Sequence, residues 1–156
     1  MLITMSVAAV LALSVILYII AVRAPKGGLT PQSILDEIII EEATAFAVPI
    51  AIVRAIVAVE SGGDAQAVGA AGEIGLMQIK LSTAQQMGYK GPGVGLFDVR
   101  TNIHYGTKYL AWQLNRYRSL PSAIAAYNAG SVFMVGNKFK NQAYVDKVMS
   151  YAGMVA

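Results

Sequence analysis

Apolar residues recur at spacings of three and four positions along most of the chain after residue 30, with polar residues between them. This spacing places the apolar side chains on one face of a helix. No segment of useful length alternates apolar and polar residues, as a half-buried strand would. The pattern therefore predicts an all-α domain of about six short helices.

The helix predicted over residues 49–60 has well-marked ends. Pro49 suits the first turn, because its missing N–H would have no partner there, and Gly62 and Gly63 follow the last turn. The small residues that come next predict a tight loop. Residues 136–141 are polar and are also predicted as a loop, whereas Trp112 is assigned to the core.

Glu60 stands out within this helix. On a period of 3.6 residues it shares the apolar face of Val53, Ile56 and Val57, so its carboxyl is expected to point inward. It also lies in the last turn, where the negative end of the helix dipole disfavours a carboxylate. Burial and the dipole both favour the protonated form that a general acid requires. The alternative is a glutamate that turns to solvent or pairs with Arg54.

Residues 2–22 contain no charged side chain. At about 1.5 Å per residue a helix of this length crosses a ~30 Å hydrocarbon core, so residues 1–24 are predicted to form an uncleaved transmembrane anchor. A cleaved signal peptide is the rival interpretation. It is disfavoured because no basic region precedes the apolar run and because Pro25 would follow the cleavage site.

Composition narrows the function classes. The net charge is +3, and no cluster of lysine and arginine predicts a nucleic-acid partner, although the charge suits an acidic polymer. The chain has no cysteine, which leaves the cellular compartment open. His104 is the only histidine and lacks a second ligand at metal-binding spacing, so no metal site is predicted.

Four short motifs follow one another in the chain. They are Glu60-Ser61, the sequence Gly-Leu-Met-Gln at residues 75–78, the sequence Ala-Tyr-Asn-Ala-Gly at residues 126–130, and Tyr144-Val145. Together they resemble the lytic transglycosylase domain of the soluble, goose-lysozyme-related kind. The resemblance covers about residues 46–153 and implies a lysozyme-like helical domain over residues 46–156. Residues 25–45 are then a linker and a leading helix.

The resemblance also implies roles for individual residues. Glu60 would be the catalytic acid, Gln78 would hydrogen-bond substrate beside it, and the Tyr127 hydroxyl would face it across the cleft. The residues expected to bind substrate are Ser61, Met77, Gln78, Tyr127, Asn128 and Tyr144, although the apolar side chain of Met77 suits the core better. Neither a metal nor a cofactor is implied.

Three positions depart from the family pattern. Gly69 stands where a serine close to the catalytic acid is frequent, and Lys80 stands where a methionine is frequent. Lys140 occupies a place that holds a second glutamate in some members. Gly69 and Lys140 keep open an interpretation without turnover, a membrane-anchored module that binds the wall or is structural.

The reaction implied is cleavage of the β-1,4 bond between N-acetylmuramic acid and N-acetylglucosamine in peptidoglycan, with formation of a 1,6-anhydro ring. Most glycosidases need two carboxylates, whereas this reaction needs one, because the nucleophile is a hydroxyl of the substrate. The alternative is a lysozyme-type muramidase in which Glu73 or Asp98 positions water.

Such an enzyme is expected to be held on a membrane with its domain facing the periplasm or cell wall. Arg23 and Lys26 follow the apolar run, and by the positive-inside rule they favour the opposite orientation. A protein of a virion or its membrane would escape that rule. The residues themselves do not identify envelope or virion assembly partners.

Overall fold

The computed structural model describes residues 30–154, and a compact unit begins at Ile34. The described residues form six α-helices, one 3₁₀ helix and two antiparallel pairs of very short strands. The α-helices are α1 (Pro31–Ala45), α2 (Ile50–Glu60), α3 (Leu81–Gln86), α4 (Val99–Tyr117), α5 (Leu120–Ala129) and α6 (Gln142–Tyr151). The 3₁₀ helix is Gly93–Phe97, and the strands are β1 (Glu73–Ile74), β2 (Ile79–Lys80), β3 (Met134–Val135) and β4 (Lys138–Phe139).

The prediction of a mainly helical domain is confirmed. None of the helices within residues 30–154 combines the length and the apolar character needed to cross a bilayer. The anchor predicted over residues 2–22 lies outside the described residues.

Helix α2 lies in the apolar core. Its side chains Ile52, Val53 and Ile56 are fully buried, and the helix packs against α6, while α5 packs against both α4 and α6. Burial of an aliphatic side chain of this size contributes about 1.5–3 kcal/mol. This packing holds the C-terminal end of α2, where Glu60 is located, against α6.

Helix α1 contributes to the same core. Leu35, Ile38, Ile39 and Ala43 form its buried face. The start of the domain at residue 46 stays a prediction, but the apolar stripe of the leading helix is packed with the rest of the unit.

The ends of α4 and α5 follow local sequence rules. Asp98 caps α4, since its carboxylate accepts hydrogen bonds from the backbone N–H of Thr101 at 2.8 Å and from its hydroxyl at 2.7 Å. Arg118 ends α4 in the left-handed conformation at φ 55°, and Gly130 ends α5 at φ 77°.

The loop after α2 is held against α4 by one buried amide. Asn102 donates hydrogen bonds to the carbonyls of Ile74 at 2.8 Å and Leu96 at 2.7 Å, and it accepts one from the Met77 N–H at 2.8 Å. Gly75, at φ 71°, lies so close that an added Cβ would be 2.5 Å from the Asn102 Nδ2. Only glycine fits there, and so the loop that carries Met77 is fixed in place.

Gln78 occupies a left-handed turn at φ 46°, and β2 follows it. Two local predictions were wrong. Residues 136–141 are not simply a loop, since β4 lies within them. Trp112 is 44% exposed rather than part of the core.

Candidate active site

Glu60 is the last residue of α2 and is half-buried. Its Oε1 accepts a hydrogen bond from the hydroxyl of Tyr144 on α6, with 2.6 Å between the oxygens. The packing of α2 against α6 brings these two side chains together. The contact fixes the orientation of a carboxyl that the sequence alone placed only on an inward face.

The environment of this carboxyl favours its protonated form. Burial raises the pKa of Glu60 above its ordinary value, and the negative charge of Glu73 acts in the same direction. The hydrogen bond from Tyr144 and the charge of Lys147 act in the opposite direction, but they do not cancel the effect of burial. Burial and the nearby Glu60 in turn raise the pKa of Tyr144, so its hydroxyl keeps the proton that it donates.

Ser61 secures the end of α2. Its hydroxyl donates to the Leu76 carbonyl at 2.8 Å and lies 3.2 Å from the carbonyl of Val57, and it accepts from the Gly63 N–H at 3.1 Å. These bonds tie the residue after Glu60 to the loop at residues 75–78. A contact between Ser61 and substrate stays a prediction.

Tyr127 takes a different partner from the one expected. Its nearly buried hydroxyl donates to the carbonyl of Met77 at 2.8 Å, and the hydroxyl bonded to Glu60 is that of Tyr144. Burial and then the Glu60 charge raise the pKa of Tyr127 well above its ordinary value. The side chain of Met77 is fully buried, and its carbonyl positions Tyr127. A contact between Met77 and substrate stays a prediction.

A cavity of about 250 Å³ opens beside these residues. Three predicted residues line it, namely Gln78, Tyr127 and Asn128. Glu60 is not part of the lining, but it interacts electrostatically with Tyr127 and Glu73, which both are. The carboxyl of Glu60 is therefore close enough to the cavity for its charge to act on two of the lining residues.

The two amides of the site are held by the protein. Gln78 donates from Nε2 to the carbonyls of Ala67 at 3.1 Å and Gly75 at 2.8 Å. Asn128 is exposed, and its Oδ1 accepts from Asn141 at 3.0 Å. Both side chains are thus oriented before any substrate arrives, which lowers the entropic cost of binding.

Sequence reasoning missed Tyr109 and Thr83 as cavity-lining residues. Tyr109 lies in the buried stripe of α4, where its ring both packs in the core and borders the cavity. A helical stripe next to a cleft carries no signal that separates these two positions. The pairing of β1 with β2 places Lys80 opposite Glu73, and both residues line the cavity.

Glu73 occupies the space that a side chain at residue 69 would take. An added Cβ at Gly69 would lie 2.4 Å from Glu73 Oε2 and 2.8 Å from Gln78 Oε1. The carboxylate also accepts the Ala71 N–H at 3.0 Å and pairs with Lys80 at 3.2 Å. Backbone hydrogen bonding and then Lys80 lower the pKa of Glu73, so this carboxylate is ionised at neutral pH.

Asp98 is the cap of α4 and does not line the cavity. Within residues 30–154, no group of three histidine, cysteine, aspartate or glutamate side chains is arranged to hold a metal ion.

Comparison with known proteins identifies the family. Residues 37–149 match the Transglycosylase SLT domain, and the chain belongs to this family. It is 31% identical over 105 residues to a transglycosylase of Enterobacteria phage PRD1, covering 67% of this chain and 35% of the relative. It is 36% identical over 92 residues to the membrane-bound lytic murein transglycosylase E of Buchnera aphidicola subsp. Acyrthosiphon pisum, covering 54% of this chain and 42% of that protein.

The fold has a solved counterpart. A structure of an inactive mutant of the lytic transglycosylase Slt from Pseudomonas aeruginosa aligns with a TM-score of 0.64 at 23% identity. The alignment covers 73% of this chain and 22% of that chain. This similarity confirms the predicted fold. The chain spans well under half the length of each of these relatives.

Proposed function

We propose that this protein is a peptidoglycan lytic transglycosylase that cleaves the β-1,4 bond between N-acetylmuramic acid and N-acetylglucosamine. Membership of the transglycosylase family supports this assignment. The observation that carries it is the state of Glu60, a half-buried carboxyl with a raised pKa that accepts a 2.6 Å hydrogen bond from Tyr144. Such a carboxyl can give up a proton at neutral pH.

In the first step Glu60 donates its proton to the glycosidic oxygen. The bond between that oxygen and the muramic C1 breaks, and the N-acetylglucosamine leaves with its hydroxyl restored. Positive charge develops at C1, and the newly ionised Glu60 lies close to it. The hydrogen bond from Tyr144 stabilises this carboxylate.

In the second step the carboxylate acts as the base. It takes the proton of the muramic C6 hydroxyl while the oxygen attacks C1, which closes the 1,6-anhydro ring and returns Glu60 to its protonated state. No water is consumed, and the reaction requires neither a metal nor a cofactor, since the nucleophile belongs to the substrate. Gln78, Tyr127 and Asn128 are the proposed binding residues at the cavity, with Ser61 and Tyr144 positioning the acid.

The second candidate is a lysozyme-type muramidase. The observation that favours it is Glu73, an ionised carboxylate on the wall of the cavity. A hydrolase uses such a group to activate water or to attack the sugar. The pairing of Glu73 with Lys80 and the Ala71 N–H reduces its basicity, which favours the transglycosylase.

We also propose that residues 2–22 hold the protein on a membrane, with the domain facing the cell wall or within a virion. The support is the uncharged apolar run. The relatives, one named as membrane-bound and one from a phage, are consistent with either setting.

Product analysis tests the proposed activity. The full chain is incubated with purified sacculi, and the soluble fragments are identified by mass. Fragments ending in 1,6-anhydro-muramic acid are expected from the full chain but not from Glu60→Gln. Reducing ends instead would establish the muramidase, and binding to sacculi without any soluble fragment would establish a non-catalytic wall-binding module.

A further inference from the structure

A hairpin whose first strand carries exposed apolar side chains follows α5. Three consecutive residues at its start, Phe133, Met134 and Val135, are 53%, 52% and 66% exposed. None of the three lines the cavity. A cluster of exposed apolar side chains indicates a surface that contacts another molecule.

The strand register determines which side chains share a face. Val135 pairs with Lys138, and the Lys140 N–H bonds to the Phe133 carbonyl at 2.8 Å, which continues the ladder. Paired residues of antiparallel strands lie on one face, and neighbours along a strand alternate. Phe133, Val135, Lys138 and Lys140 therefore form one outward face, called here the hairpin face.

The opposite face of the hairpin packs against the domain, so the hairpin face points away from it. Phe139 lies there and packs against the apolar core, and its N–H donates to Gln142 at 3.1 Å. Asn141, next in the chain, donates to the Ala125 carbonyl at 3.0 Å. These contacts fix the hairpin on the domain and leave the hairpin face exposed to solvent.

The charges on the hairpin face point to the kind of partner. Lys138 and Lys140 are exposed, and neither forms an ion pair with another residue between 30 and 154. Two lysines beside two large apolar side chains match a surface that offers anionic groups above an apolar layer. A hydrated glycan or an acidic peptide would satisfy the lysines but would leave Phe133 and Val135 in contact with water.

We propose that the hairpin face inserts into the surface of an anionic lipid bilayer, with Phe133 and Val135 among the upper acyl chains and the lysines at the lipid phosphates. A contact this small is weak by itself. It gains strength when another part of the chain already holds the domain near the membrane, because the second contact is then intramolecular. The inference does not depend on the activity proposed above.

A fluorescent label tests the insertion in the full chain. The chain has no cysteine, so Val135→Cys provides one site for an environment-sensitive dye on the hairpin face. The protein is mixed with vesicles of phosphatidylcholine alone or with added phosphatidylglycerol. We expect a blue shift, and quenching by spin-labelled lipid, only in the vesicles that contain phosphatidylglycerol. The matched control is a label at Val94→Cys, which replaces another exposed apolar residue, 71% exposed, and should not respond.

Substitutions then test the lysines and the apolar side chains of the hairpin face separately. Lys138→Gln and Lys140→Gln should each lower the ratio of inserted to free hairpin about fivefold, as expected for one lysine near an anionic surface. Phe133→Ser should also reduce insertion. A Val135 label that stays as exposed as the Val94 label would overturn the proposal. So would an equal response in neutral vesicles, or a response to purified peptidoglycan and not to lipid.

Discussion

The hydroxyl of Tyr144 lies 2.6 Å from Oε1 of Glu60, although the two residues are 84 positions apart in the chain. This bond and the burial of the carboxyl act in opposite directions on its pKa. Burial favours the protonated acid that begins the proposed reaction, and the hydrogen bond favours the carboxylate that completes it. A group that must act first as acid and then as base benefits from both.

Tyr144→Phe removes this hydrogen bond and leaves the burial in place. The pKa of Glu60 should rise further, so the basic limb of the profile of kcat/KM against pH should move to higher pH. The turnover rate should fall roughly tenfold or more, as expected for loss of a hydrogen bond to a charged group. Tyr151→Phe, on an exposed position of the same helix, is the control and should change neither quantity. An unmoved basic limb in Tyr144→Phe would contradict the assigned role.

The raised pKa of Glu60 also predicts how stability depends on pH. Between the ordinary value of 4.5 and the raised value, the folded protein binds a proton that the unfolded chain has lost, so stability falls as pH rises through this window. Glu60→Gln removes that dependence. We expect the stability of Glu60→Gln relative to the original chain, measured as the difference in free energy of unfolding in urea, to be greater at neutral pH than below pH 4.5.

Glu73→Gln is the matched control for this measurement, because the pKa of Glu73 is lowered. The stability contributed by its ionised form is present at neutral pH and is lost as pH falls. Relative to the original chain, Glu73→Gln should therefore be less stable at neutral pH than at low pH. This change with pH is opposite in sign to that expected for Glu60→Gln. The same sign for both variants would show that Glu60 is not held protonated.

Asp98 has a structural role in this account. Asp98→Ala removes the bonds to the Thr101 N–H and hydroxyl, and it should lower the free energy of unfolding by about 1 kcal/mol. The rate of muropeptide release per folded molecule should be unchanged. A large loss of turnover with unchanged stability would instead give Asp98 the water-positioning role of a muramidase.

The space shared by Gly69 and Glu73 predicts a coupled pair. Gly69→Ser restores the residue frequent in the family, but its Cβ would fall 2.4 Å from the Glu73 carboxylate. The displaced carboxylate would lose its bond to the Ala71 N–H and its pairing with Lys80, at a cost of about 1 kcal/mol. Adding Glu73→Ala should relieve the clash with the carboxylate, although not the approach to Gln78, so that a double-mutant cycle gives an interaction of at least about 0.5 kcal/mol. Additive effects would contradict the structure.

Much of the site followed from local patterns. The end of α2, the inward Glu60 and the order of the four motifs are visible in the sequence, since each depends on neighbouring residues. The sequence did not show whether Tyr127 or Tyr144 is the partner of Glu60, because this depends on how the helices pack in three dimensions. The hairpin at residues 134–139 was not predicted for another reason. Its strands have only two residues each, which is too few to show an alternation of apolar and polar residues.

The most direct measurement of the central claim is the initial rate of soluble muropeptide release by Glu60→Gln. The substitution keeps the shape of the side chain and removes the transferable proton, so the fold should survive and can be checked by thermal unfolding. The rate should fall by at least ~10²–10⁴, while Glu73→Gln, assayed beside it, should keep most activity. A Glu60→Gln protein that still releases muropeptides at a rate near that of the original chain would contradict the account.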